Sequence, residues 1–536
     1  MIFKIFIFAF LFREDLINFK NGNYEKIIKD FKESILYYDA IINYAENLFK
    51  NKEYKRALRL IEGYEKNFPS YIIPRALKLK KEIYKKISEI DYKKILKNLI
   101  KNYPMLLEEK EIDFIEELYF YKGKYYFLKN EWEKCIPYFE KSNDNLKHYY
   151  IGYSYFKIGD YEKAISELEK ININDGWYYE KAKILKGLCY KYLSKPFLAL
   201  KEFFNVSFEY EDLREIAMKE ARITAIENGI YPLNDEFKVN LREKIFIDYS
   251  LNNLIEIPEN EDLKEEENIF LLYIVGKSKK DKRFFEKIFK IEPLSFFSVK
   301  EIGICLEENF ENDNYNEDFL ILAYLDLKDA FEYYLKRIND LEEIINTSEK
   351  LAEIGKFYYS LKMARRGYEI LRKQNVLCFP KKILFLLFPL PYKDFIFEKA
   401  REKNINPYLI YAIMRRESEF YEKAISPKGA IGLMQILPET FKKIDKYKNY
   451  SIDSLFNPYI NIEAGIEIFS SMLDSIQDTV LAIASYNAGS YKVKEWKEKC
   501  IFKNEIQFFI DCPYEETRKY IFRVLSDYEV YKKIYQ

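Results

Sequence analysis

The chain has 536 residues, with 87 Lys+Arg balanced by 87 Asp+Glu, six cysteines and a single histidine. His148 alone leaves no two-histidine zinc site, and a formal charge of zero argues against a nucleic-acid protein, which normally carries a basic excess. Gly and Pro together supply 32 residues, about half the average usage, which is too few turns for a Rossmann or all-β fold and fits an all-α chain of long helices and short loops.

Hydrophobic residues make up 48% of the chain, enough for sizeable cores. The 49 Tyr and 43 Phe read as a general compositional drift, since bulk aromatic content does not by itself identify a sugar-binding surface. Residues 1–12, MIFKIFIFAFLF, form a signal-like apolar segment. Its eight uninterrupted apolar residues reach about 12 Å as a helix against a hydrocarbon core of roughly 30 Å. A signal-peptide core or a buried first helix therefore fits better than a span, although no small-residue cleavage site follows. Cys135, Cys189, Cys305, Cys378, Cys500 and Cys512 contain no CxxC pair. Cys500 and Cys512 could close a short loop in an oxidising compartment or serve as reduced packing cysteines.

From about residue 24 a degenerate repeat recurs, within a helical region that spans roughly 13–380. Segments 48–66, 126–142 and 155–171 align without gaps: an apolar helix end, a polar turn, an aromatic (Tyr54, Trp132, Tyr161), then a small residue three positions on (Ala57, Cys135, Ala164). Weaker copies occupy 190–206 and 353–370. This is the helix–turn–helix logic of an irregular tetratricopeptide-like α-superhelix, in which the small residue admits close helix approach. The pattern fades between 228 and 300, where 257–268 reads as a charged connector. Such solenoids commonly bind protein partners, but one joined to an enzyme can be scaffold. His148 reads as an ordinary surface or packing histidine.

Pro389 and Pro391 in 387–394 end any helix, so residues 381–400 read as a stiff linker and entry to a last domain, 401–536. There Asn406 and Pro407 give a helix start, and the apolar stripe Ile410, Ile413, Met414 continues through Glu417 to Phe420. A carboxylate thus sits on a core-facing stripe, where burial raises its pKa towards that of a general acid at neutral pH. A buried glutamate paired with an arginine is the structural alternative.

Downstream come SPKGAIGLMQ (426–435), NPYINI (457–462), YNAG (486–489) and ETRKY (516–520). With the FPLPY entry and the Arg-Glu-Ser around Glu417, these motifs resemble the soluble lytic transglycosylases, whose catalytic domain has a goose-type lysozyme-like fold behind a helical superhelix. The resemblance covers about 385–536, with order and spacing kept. It departs at Leu437, where some members carry Met, and at Phe420-Tyr421-Glu422, where Asn-Pro is commoner.

The resemblance implies that Glu417 is the catalytic acid and base, and that Ser426, Gln435, Tyr486 and Glu516 line sugar subsites, with Asn487 and Tyr520 in matching motifs. It implies cleavage of the MurNAc–GlcNAc bond of peptidoglycan glycan strands to 1,6-anhydromuramyl ends, with Gln435 and Tyr486 holding the sugar. No metal or other cofactor is required. A muramidase that admits water to the same site, and a scaffold with a glycan-binding domain, are the alternatives. The implied location is periplasmic or otherwise extracytoplasmic, with at most peripheral or signal-mediated membrane contact. In 401–536, 20 Lys+Arg face 19 Asp+Glu, so affinity must come from aromatic and polar subsites rather than net charge.

Overall fold

The computed structural model of the chain describes residues 13–115, 117–207, 209–228, 230, 269–307, 314–499 and 515–536. The signal-like segment 1–12, the connector 257–268 and the pair Cys500 and Cys512 lie outside the described residues. Two compact units divide the chain, one within 11–240 and one within 241–536, so the helical region expected as one run from 13 to 380 is shared between them. Helices make up nearly all regular structure. A two-residue parallel ladder, Leu306–Glu307 beside Phe379–Pro380, is the one sheet among the described residues. None of the described helices is long and apolar enough to cross a membrane.

The first unit is built from helix pairs. Tyr119–Leu128 pairs with Trp132–Glu140, Lys147–Ile158 with Tyr161–Leu168, and Trp177–Tyr192 with Pro196–Phe204. The small residues of the repeat, Ala57, Cys135 and Ala164, are fully buried, as close helix approach requires. A second signal in the same pairs was not read from the sequence. Gly123, Gly152 and Gly187 lie on the first helix of each pair, where an added Cβ would collide with Phe139, Leu168 and Phe203, each sixteen positions later. A large side chain on the second helix thus seats against bare backbone on the first. The His148 Nδ1–H donates to the Glu167 carboxylate at 2.8 Å, a half-buried contact within this unit.

The same offset recurs in the second unit, where Gly367 of helix Phe357–Lys373 meets Ile383 of helix Lys381–Leu387. Residues 381–387, expected as linker, are therefore the second helix of a packed pair. The prolines do end that helix, but the segment after it is not a free spacer. The Phe388, Pro389 and Pro391 carbonyls accept hydrogen bonds from the hydroxyls of Tyr535, Tyr531 and Tyr411 at 2.7, 3.1 and 2.9 Å. Proline removes N–H donors but keeps its carbonyl, and buried carbonyls need donors.

Cys305 and Cys378 form a disulfide beside the short ladder, bridging 73 positions, whereas Cys135 and Cys189 are free and buried. The cysteines therefore include a structural pair that their scattered spacing concealed. One continuous apolar core runs from Ile269 through the helices around Glu417 to Tyr531.

Candidate active site

Helix Pro407–Glu417 starts as its sequence dictates: the Asn406 side chain accepts from the Tyr408 N–H at 3.0 Å, and Pro407 occupies the first turn. Tyr408 to Arg415 are all buried, so the helix crosses the core rather than lying on it. It stops at Glu417, three residues short of the expected Phe420. Glu419 and Phe420 both adopt positive φ, and Phe420 reaches the core through this turn instead of along the stripe. The turn leaves the Glu417 carboxyl at the last helical position, facing a cavity of about 680 Å³. That volume lies within the usual range of ligand pockets.

Burial pushes the Glu417 carboxyl up to about 7, against the opposing effect of a hydrogen bond donated by the Tyr520 hydroxyl to Oε1 at 2.6 Å. No cation pairs with Glu417 among the described residues. The adjacent Arg415 and Arg416 both turn to Asp527 on helix Glu515–Tyr535, at 2.7 and 2.6 Å. The alternative of a structural glutamate–arginine pair therefore belongs to Asp527, not to Glu417. Tyr486 and Tyr520 are both pushed well above the usual tyrosine range, chiefly by burial and then by the nearby Glu417 charge, so both stay neutral donors.

Glu419 behaves oppositely. Although burial opposes ionisation, Arg365 and Lys362 of helix Phe357–Lys373 hold its carboxyl down at about 2, with Lys362 at 2.6 Å. Two carboxyls two residues apart thus differ by environment: one proton-exchanging near neutrality, one permanently charged and neutralised by cations.

The loop 431–435 ends on Gln435, which lines the cavity. Gly432 has φ +78°, and an added Cβ would lie 2.6 Å from the Leu455 carbonyl, so glycine is required for both conformation and space. Asn461, fully buried, clamps the loop: its Oδ1 accepts from the Met434 N–H at 2.7 Å, and its Nδ2 donates to the Ile431 and Leu455 carbonyls at 2.9 Å each. Ser418 donates to the Leu433 carbonyl at 2.7 Å and Tyr486 to the Met434 carbonyl at 2.8 Å.

Of the residues expected at the site, Glu417, Ser426 and Gln435 line the cavity together. Tyr520 touches Glu417 directly. Asn487 accepts from Thr517 at 2.8 Å, joining helix Thr479–Ala488 to helix Glu515–Tyr535. Ser426 accepts from the Ala430 N–H at 3.0 Å and shapes its own turn. Gln435 donates to the Gly432 and Ala424 carbonyls at 2.9 and 3.3 Å, and its φ is +48°. The donors of Gln435 and Tyr486, expected on the sugar, are thus directed to loop backbone. Glu516 is exposed in the first turn of its helix and is not among the cavity-lining residues.

Residues missed in the sequence include Asn461, the loop clamp, and Asp527, the partner of both arginines. Asn461 stands inside the NPYINI motif, but its hydrogen-bonding role is visible only once the loop lies against it. The opposite cavity wall was also unforeseen: Lys328, Glu332, Tyr358 and Lys362 come from the helical region. Among the described residues no three His, Cys, Asp or Glu side chains gather as a metal cage.

Residues 394–509 match the family described as transglycosylase SLT domain, and residues 148–172 match a tetratricopeptide repeat. The chain is 34% identical over 152 residues to the soluble lytic murein transglycosylase of Salmonella typhimurium, covering 27% of this chain and 23% of the relative. It is 32% identical over 156 residues to that of Escherichia coli K12, covering 28% and 24%. These matches span about a quarter of the relatives' length. In structure, the chain is similar to the 70 kDa soluble lytic transglycosylase of E. coli, with a TM-score of 0.53 at 16% identity over 97% of this chain and 95% of that one. The lytic transglycosylase Slt of Pseudomonas aeruginosa gives 0.53 at 15% identity over 94% and 92%. At these identities the structural likeness concerns the fold.

Proposed function

We propose that this chain, which belongs through residues 394–509 to the transglycosylase SLT domain family, is a lytic transglycosylase of peptidoglycan, with Glu417 as its only proton-transfer residue. The observation that carries the reading is the Glu417 carboxyl: cavity-facing, paired with no cation among the described residues, hydrogen-bonded by Tyr520, and poised at about 7.

A group with that pKa is substantially populated in both protonation states near neutrality, which suits one residue acting first as acid and then as base. As acid, Glu417 gives its proton to the oxygen between N-acetylmuramic acid and N-acetylglucosamine, and the C1–O bond breaks. The neighbouring N-acetyl group stabilises the cationic carbon. As base, the resulting carboxylate takes the proton of the muramyl 6-hydroxyl while O6 bonds to C1. Glu417 ends protonated, and no water is consumed.

Most glycosidases supply a second carboxylate as nucleophile or base. Here Glu419 is tied to Lys362 and Arg365, and Glu332 accepts the Tyr358 hydroxyl at 2.6 Å. Neither is a free base, which favours the substrate's own hydroxyl, an attack helped by its intramolecular geometry. Tyr486, Gln435, Ser418 and Asn461 contribute by fixing the loop beneath the sugar. Asn487 anchors the Tyr520 helix. The disulfide accords with an oxidising, extracytoplasmic location, and the helical region accords with binding of protein partners.

The test is product mass on purified sacculi. Wild type is expected to release anhydro products, lighter by one water than hydrolysed ones, and Glu417→Gln to release no more than a trace. Products carrying the added water would instead make the protein a muramidase. Binding without cleavage by wild type would make it a scaffold.

A further inference from the structure

The reaction above uses one side of the cavity. The other side carries an ammonium with no assigned work. Lys328 opens helix Lys328–Leu335 and lines the same cavity as Glu417. Its Nζ lies 5.0 Å from the ring centroid of Tyr358 and 5.1 Å from that of Tyr421. The two rings stand 4.9 Å apart and tilted, forming a notch for the cation.

Each ring is pinned through its hydroxyl. Tyr358 donates to Glu332 at 2.6 Å, and Tyr421 to Asp326 at 3.3 Å. Lys423 lies 2.7 Å from Asp326, and Lys362, shared with Glu419, lies 3.8 Å from Glu332. Glu419, the remaining acid of the wall, is held by Lys362 and Arg365. Asp326, Glu332 and Glu419 are thus engaged, Asp329 on the same helix is exposed to solvent, and Lys328 makes no ion pair with any described residue. A half-buried ammonium held by two rings, facing a cavity and in no ion pair with a described residue, is arranged to receive an anion.

We propose that Lys328 is a specificity-determining residue that binds a carboxylate of the substrate. The inference rests on the peptidoglycan reading, because such strands offer carboxylates from two sources. One is the peptide attached to the muramyl lactyl group, and the other is the free lactyl group of a strand without peptide. The Tyr358–Tyr421 notch fixes where the charge sits, so the site selects muramyl-containing glycan over neutral N-acetylglucosamine polymer.

The experiment titrates the full-length chain calorimetrically in the Glu417→Gln background, so that no ligand is consumed, with and without Lys328→Met. Three ligands of equal sugar length are used: a peptide-bearing strand fragment, the same fragment freed of peptide by an amidase, and neutral chito-oligosaccharide. Lys328→Met is expected to weaken one or both carboxylate ligands about tenfold while leaving the neutral ligand unchanged. The ligand that loses affinity identifies the source, and Lys328→Arg should retain it. Equal affinity in both proteins, an equal loss for all three ligands, or no binding by either protein overturns the proposal. If wild type yields no anhydro product yet the charge selectivity is present, the functional reading fails and this one stands.

Discussion

Tyr520 and burial pull the Glu417 carboxyl in opposite directions. The hydroxyl stabilises the carboxylate, burial stabilises the acid, and burial wins to leave the group at about 7. Activity that starts from protonated Glu417 should therefore fall as pH rises through about 7. Removing the hydroxyl removes the stabilisation of the charged form. In Tyr520→Phe the alkaline limb of kcat/KM should move upward by about one pH unit, read from a pH–rate profile against wild type. A purely structural tyrosine would lower the rate without moving the limb. The acid itself was legible from its place on the stripe Ile410, Ile413, Met414. Its hydrogen-bond partner lies 103 positions away, and only motif resemblance marked it.

At the scale of elements, the Glu417 helix is locked from both ends of its last turn. Arg415 donates to the Leu387 carbonyl at 2.9 Å and pairs with Asp527, which also takes Arg416. Asp527 and Arg415 are almost fully buried, so deleting the acid strands charge inside the core. Asp527→Ala should cost about 3–5 kcal/mol, measured by urea unfolding at neutral pH, whereas a conservative change of exposed Glu516 should cost little. This lock was hidden because ion-pair partners on different helices leave no local pattern. The packed helix inside 381–400, a segment whose sequence reads as linker, is hidden for a related reason. Pro389 and Pro391 do break the helix, but sequence does not show that Tyr411, Tyr531 and Tyr535 close over their carbonyls.

Across the whole molecule the helical repeat was readable from its buried small residues Ala57, Cys135 and Ala164. The glycines sixteen positions before Phe139, Leu168 and Phe203 mark those same pairs, and Gly367 before Ile383 marks one more inside the second unit. The disulfide was not readable, since 73 positions separate its ends and no motif frames them. Closing a loop of that length stabilises the fold by about 4 kcal/mol on chain-entropy grounds. Cys305→Ala with Cys378→Ala should reduce amide hydrogen-exchange protection across the described residues of the second unit and leave those of the first unchanged, because the bridge lies wholly in the second unit. The enclosed stretch contains Lys328, Tyr358 and Lys362, so loss of the bridge should also weaken binding of peptide-bearing strands.

The elevated Glu417 pKa has a bearing on the fold as well as on the chemistry. In the unfolded chain this carboxyl ionises near 4.5, and in the folded chain near 7. Below both values the group is neutral in either state and imposes nothing. As pH climbs between them the unfolded chain gains a charge that the folded chain resists, and native stability declines by an amount that reaches a few kcal/mol above pH 7. The protein therefore keeps its acid ready at the expense of its own alkaline tolerance, and a glutamine in that position would make a sturdier, idle molecule.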